Sequence, residues 1–252
     1  MTVDTEPEAL LSHLQNADGS ATFSYAGYTV VGAVNGPIEV QRRDEIPEEA
    51  AIDVIVRPAA GVGGTRERQL ESLIQSTLRQ IILVENFPRT LIQVILQVTT
   101  APENEYVNAK VVQANSNLAI LPALLQTAIL SLLSAALPLT ATLTSTSLAI
   151  VPDGQSKKIV LNPSPREIGV SQSFHIFSFT SHDKLILVES EGGFTMKEWD
   201  DVFAVAQRQC CPPAVANDGD TFMDDGSRAG ADVKQFTRST LEGKIMSDLH
   251  WK

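Results

Sequence analysis

Between Ala17 and Val40 apolar residues fall at every second position, through Phe23 and Tyr25 and then Thr29, Val31 and Ala33, which is the spacing of strands with one buried face. A glycine turn at Gly27 divides this stretch into a hairpin. Asp18-Gly19-Ser20 predicts a tight turn before it, and Gly36-Pro37 leads into a strand near Ile38 to Val40. Residues 51–58 (AIDVIVRP) and 87–98 (FPRTLIQVILQV) also read as strands, the second from Ile92, Val94 and Leu96 alternating with Gln93 and Gln97. A glycine-rich linker, 59–65, separates them. It opens a helix over 66–83, where Leu70, Leu73, Ile74, Thr77, Leu78 and Ile81 recur at helical spacing and Thr65 is the expected N-cap.

The second half repeats the order of strands and helix. Residues 99–110 are polar and read as a loop, and 118–136 form an apolar helix. Strand-like runs follow at 139–151, 157–163, 174–181 and 184–192, and 194–209 returns to helical spacing. Residues 1–16 form an N-terminal arm, with Glu6 to Asn16 a short leading helix or a loose acidic stretch; 17–211 form the folded domain. Residues 212–233 have linker composition, and 234–252 form a tail, a possible short helix with Phe236, Leu241, Ile245, Leu249 and Trp251 on a docking face. The fold class is α/β, or α+β, with helices packed between sheets.

Composition narrows the partners. The chain has 252 residues, 43% of them hydrophobic, enough for a full core, and a formal net charge of −11. Such a surface does not hold nucleic acid over its whole extent, so any RNA contact is local. The strongest local basic stretch is Arg57, Arg66, Arg68, Arg79 and Arg89, against only Glu67, Glu71 and Glu85. Residues 118–139 contain no charge, yet Pro122, Gln126 and the absence of flanking basic clusters or an aromatic belt predict a buried helix, not a membrane span. No basic region leads into an apolar run at the start, so no secretory signal is expected. The two cysteines, Cys210 and Cys211, are adjacent, which is neither a disulfide framework nor a metal spacing, and a reducing compartment is expected.

An ordered set of motifs then carries a resemblance. ADGSA at 17–21, Gly27-Tyr28-Thr29-Val30-Val31, Gly36-Pro37 with Glu39, Val56-Arg57-Pro58 and Phe87-Pro88-Arg89-Thr90 resemble, in that order and spacing, the RNase PH family. Within it they are similar to the RNase PH-like ring subunits of the eukaryotic RNA exosome, in the lineage whose archaeal members carry the active site. The resemblance covers roughly residues 10–210. It implies an RNase PH-like fold of two βαβ-containing halves and a place in a six-membered ring with other RNase PH-like subunits. It also implies RNA passing through the ring channel, RNA-binding cap subunits on one face and an associated catalytic ribonuclease. Its implied location is the nucleus, nucleolus and cytoplasm, and its implied work is 3′→5′ processing and degradation of RNA.

Whether the family's chemistry is present depends on charge. Phosphorolysis needs a phosphate seated beside anionic RNA, hence a cation and aligned donors, and an acid to manage the leaving group. Where active relatives carry a Gly-Thr/Ser-Arg triplet, this chain offers Asn104-Glu105-Tyr106 or Asn117-Leu118-Ala119, without an arginine. Where they carry an acidic cluster, it has Asn162, Ile168 and Ser171 to Ser173, leaving only Glu167 beside Arg166. The expectation is therefore a ring subunit with no catalytic residue, no metal and no cofactor. The alternatives are an active phosphate-dependent exoribonuclease and a free-standing RNA-binding protein. GVGGTR at 61–66 lacks the Lys-Ser/Thr pair of a phosphate loop, and the four histidines are scattered. Arg66, Arg68 and Arg89 are the candidate RNA contacts. The resemblance places a pair of arginines at the start of the first helix; Arg68 matches the second of them and Glu67 stands at the first. The competing reading pairs Arg66 and Arg68 with Glu67 and Glu71.

Overall fold

The structure, a computed structural model, describes residues 6–43, 45–102, 117–153, 156–211 and 232–250. The alternating first half builds a five-stranded sheet in the order β1-β2-β3-β5-β4 from β1 (Glu8–Leu11), β2 (Gly19–Tyr25), β3 (Tyr28–Glu39), β4 (Ala51–Arg57) and β5 (Thr90–Thr100). β4 and β5 run parallel and are joined through helix α1 (Thr65–Ile81), a βαβ unit; the other neighbours are antiparallel. The hairpin turns at Ala26 and Gly27, both at positive φ, as a right-twisted two-residue connection requires.

Residues 8–11 form neither a helix nor a loose arm: Ala9 and Leu11 turn inward to the core and make an edge strand, too short for its alternation to stand out. Asp18 does not close a local turn; its Oδ2 accepts the Gly36 N–H at 2.8 Å, tying the start of β2 to the far end of β3. β3 is one strand through Gly36-Pro37, with a register shift between Asn35 and Ile38, and it buries Tyr28, Val30, Gly32 and Val34, while Thr29, Val31 and Ala33, the alternating set singled out in the sequence, lie on its other face. Thr65 is the first helical residue and not the cap. The cap is Gly64, whose N–H is accepted by Glu67 Oε2 at 2.6 Å, so the carboxylate does the capping.

The second sheet, order β7-β6-β8-β9, comprises β6 (Leu143–Asp153), β7 (Ser156–Leu161), β8 (Ser173–Thr180) and β9 (Leu185–Gly192), all antiparallel neighbours. β7 and β8 flank β6 and are linked through a short helix α3 (Pro165–Val170), so this half holds a split βαβ unit. The apolar helix α2 (Leu121–Ser134) lies between the sheets, packing on β2 and β3 on one side and β6 and β8 on the other. That position is why it is buried on nearly all sides; Thr127 and Ser131 hydroxyls donate back to Ala123 and Ala128 carbonyls of the same helix. No helix among the described residues is long and apolar enough to cross a membrane.

Helix α4 (Met196–Cys210) does not lie between the sheets. It covers the opposite face of the second sheet, where Leu148, Ile150, Phe177 and Phe179 meet Val202, Ala206 and Cys210, with Trp199 and Phe203 stacked at 5.4 Å. β8 is consequently buried on both faces. Helix α5 (Val233–Asp248) docks its first half near α2: Phe236 lies 6.2 Å from the Phe23 ring, and Gln126 Nε2 donates to Thr237 Oγ1 at 2.6 Å. Ile245, Met246 and Leu249, at its far end, are exposed.

Candidate functional site

The place where the resemblance puts the acidic cluster is the exit of β7, opposite the β2–β3 hairpin. Asn162 sits there at φ 47°, which asparagine adopts more readily than most residues. Its N–H donates to Ser147 O at 2.9 Å, and its Nδ2 donates to the Tyr25 hydroxyl at 2.7 Å. The amide thus joins the two halves of the molecule. Burial raises the Tyr25 pKa above its ordinary value, so the hydroxyl stays a neutral phenol.

The cavity beside this pair is lined by Tyr25, Tyr28, Ala119, Pro122, Asn162 and Ile168, among others, and no charged side chain contributes to the lining among the described residues. Its volume of about 20 Å³ suits a water molecule. Leu118 and Ala119, of the second candidate triplet, lie in a single 3-10 turn leading into α2, with Leu118 buried and Ala119 against the core. The first candidate triplet, Asn104-Glu105-Tyr106, lies outside the described residues.

Glu167, the one acid between Leu161 and Phe174, is committed to structure. Its Oε2 accepts the Ser164 N–H at 2.7 Å and the Ser164 hydroxyl at 2.8 Å, while Ser164 Oγ caps the Glu167 N–H, a reciprocal capping box that starts α3. The Ser-x-x-Glu spacing in Ser164-Pro165-Arg166-Glu167 is the sequence signal for this helix, which the periodicity of so short an element does not reveal. Tyr25 had no such signal, since its partner Asn162 is 137 residues away.

The arginines divide between two ends of the first sheet. Arg57 ends β4, and Arg66 and Arg68 open α1 just after it. The carboxylates expected to pair with them are used elsewhere: Glu67 caps Gly64, and Glu71 Oε1 accepts the Val56 N–H at 2.9 Å. Arg66 is partly buried, with Nε and Nη2 inaccessible and without a hydrogen-bond partner among the described residues. Arg68 is exposed. Arg89, by contrast, precedes β5 at the other end, roughly 25 Å away along the strands, where its Nε lies 3.2 Å from Glu45 Oε1. Arg79 is likewise ion-paired, with Glu49. The structure therefore places Arg66 and Arg68 in one helical turn, Arg66 half-buried and Arg68 exposed, and leaves Arg89 apart.

Other reactive groups are quiet. Burial pushes the Cys210 thiol up to about 12 and, with a hydrogen bond to Asp183, the Cys211 thiol up to about 11. No group of three or more His, Cys, Asp or Glu side chains among the described residues is placed to hold a metal ion.

Comparison with known proteins agrees with this architecture. The chain is 29% identical over 209 residues to the exosome complex component RRP46 of Saccharomyces cerevisiae, covering 81% of this chain and 89% of the relative. It is 40% identical over 85 residues to rrp46 of Schizosaccharomyces pombe, covering 34% of this chain and 38% of that one. Among solved structures, rice (Oryza sativa) Rrp46 superposes with a TM-score of 0.71 at 22% identity over 94% of both chains. An archaeal exosome core superposes at 0.62 and 17% identity, over 81% of this chain and 82% of the other. Residues 8–151, more than half of the sequence, match the family described as 3′ exoribonuclease family, domain 1. With the motif order, the split sheets and the buried central helix all in agreement, the chain belongs to the RNase PH family of 3′ exoribonucleases.

Proposed function

We propose that this chain is a non-catalytic structural subunit of an exosome ring, one of the RNase PH-like subunits that together enclose an RNA channel used in 3′→5′ RNA processing and degradation. The names of its relatives, exosome components of the Rrp46 type, support ring membership. The observation that carries the non-catalytic part is the Tyr25–Asn162 cavity. Among the described residues it offers a phosphate no cation and the leaving group no acid, and the nearby Glu167 is held in a capping box. An uncompensated dianion in such a site is strongly disfavoured.

In this reading the other ring subunits, the cap subunits and an associated ribonuclease are the partners, with the nucleus, nucleolus and cytoplasm as the setting. Arg66 and Arg68, in the first turn of α1, contact RNA phosphates without regard to base sequence. Arg89, paired with Glu45, stands at the far end of the sheet from them. The test is incubation of the chain, alone and within its ring, with RNA and inorganic phosphate. No nucleoside diphosphate attributable to this subunit is expected. Diphosphate release that is lost on Asn162→Ala or Glu167→Gln substitution would instead establish an active exoribonuclease.

A further inference from the structure

The first sheet has two unlike faces. Its inner face, Val30, Val34, Ile92, Val94 and Leu96, is covered by α1 and α2 and belongs to the main core. The outer face alternates with it and carries Val31, Ala33, Ile55 and Ile95, none of which packs against that core. Strand register sets Ala33 beside Ile95 and Ile95 beside Ile55, so an aliphatic row crosses three strands. On one side lies the row Thr22, Val31, Gln97 and Arg57, on the other Asn35, Gln93 and Asp53, with Gln93 Nε2 donating to Asp53 Oδ2 at 3.1 Å. An apolar centre within a hydrogen-bonding rim is the anatomy of a protein interface. No described helix covers this face.

The strand sequences point the same way. β4 and β5 alternate, yet Ile55 and Ile95 place aliphatic side chains at outward positions between Asp53, Gln93 and Gln97, where a solvated face would carry polar residues throughout. A polyanion is a poor occupant, because among the described residues the only cation on the face is Arg57 at its edge, and Asp53 lies within it. A lipid surface is equally poor, given Thr22, Asn35, Gln93 and Gln97.

We propose that this outer face is the seat of a neighbouring ring subunit, one that presents a neutral aliphatic surface with amide or hydroxyl groups at its margin. The inference rests on the ring reading above. Size separates this partner from a second copy. Four strands over seven residues offer roughly 450 Å², about half of what each side of a stable interface contributes. Two copies meeting through this face alone would fall short, and each brings a net charge of −11. A neighbour with a broader matching surface can extend the contact along the same face to the exposed Leu10, which pairs with Thr22 on the edge strand β1.

The test uses the full chain co-expressed with the RNase PH-like subunits of its own organism and read by native mass spectrometry. The Ile95→Arg variant is expected to keep the unfolding midpoint of the free chain within a few degrees, since Ile95 lies outside the core, and to lose roughly tenfold or more in ring incorporation. Ile245→Arg, on the exposed end of α5, is expected to incorporate normally. In a second measurement the Ile95→Cys variant is labelled by maleimide in the free chain and protected in the ring; the native cysteines react slowly because their thiols are held protonated. Normal incorporation of Ile95→Arg, or equal labelling of Ile95→Cys in both states, would overturn the assignment while leaving ring membership intact. Protection of Ile95→Cys in a dimer of this chain alone would overturn the choice of a different neighbour. Recovery of the unmodified chain without partners would remove the ring reading, and the inference with it.

Discussion

A side chain at Gly19 has nowhere to go: a Cβ there would stand 2.4 Å from both the Ala135 amide nitrogen and the Ser131 carbonyl oxygen at the end of α2. Glycine lets the strand and the central helix touch, so the ADGSA motif is scaffold. Gly19→Ala should destabilise the chain by about 2–3 kcal/mol through overpacking against backbone that cannot retreat; urea denaturation measures it. His175 is a second residue whose setting has a measurable consequence. It is fully buried, with Nδ1 2.8 Å from Ser190 Oγ, Nε2 3.0 Å from Ser173 Oγ and the Phe194 ring edge-on at 4.8 Å. Burial lowers its pKa, so below about 6.5 the unfolded chain takes up a proton that the folded chain refuses. Stability should therefore fall as pH drops from 7.5 through that value. The His175→Gln variant should lack this part of the slope; an identical slope in both proteins would contradict the assignment.

At the scale of elements, α2 shows what pattern does and does not disclose. The uncharged run 118–139 around it predicts burial, and Pro122 and Gln126 argue against a membrane span. What Gln126 does was not readable, because its partner Thr237 lies in α5, 111 residues away. Its Oε1 is buried without a partner among the described residues, while Thr237 also donates to Val233 O. Gln126→Leu should therefore leave no donor stranded and leave stability unchanged or raise it by up to about 1 kcal/mol. A loss of more than that, followed by thermal unfolding, would mean that the amide holds α5 in place. The strands and the two long amphipathic helices follow from periods of 2 and 3.6 within short windows. The edge strand β1, the cap at Gly64 and the short α3 depend instead on pairing or on single side-chain bonds. Glu71 and Gln75 are further examples: from α1 they bond Val56 N–H and Ile52 O, sealing the free edge of β4 against other strands.

For the whole molecule, the resemblance named the family and the absence of charged residues pointed away from its chemistry, but the geometry of the candidate site could not be read from the sequence. Which oxygen Glu167 spends on Ser164, and that Arg89 stands apart from Arg66, are facts of three-dimensional arrangement. An acidic protein that contacts RNA does so through a small corner. Replacing Arg66 and Arg68 by alanine within the assembled ring should weaken RNA binding evenly across sequences and reduce the slope of log affinity against log salt by about 1 per lost phosphate contact. An unchanged salt slope would take both residues off the RNA path.

The central claim is that this chain works as a part of a ring. The most direct measurement is the native mass of the complex that co-purifies with the chain from its own cells. The account predicts one copy of the chain together with other RNase PH-like subunits, with no appreciable free monomer. A stable, free-standing monomer that binds RNA by itself would contradict it.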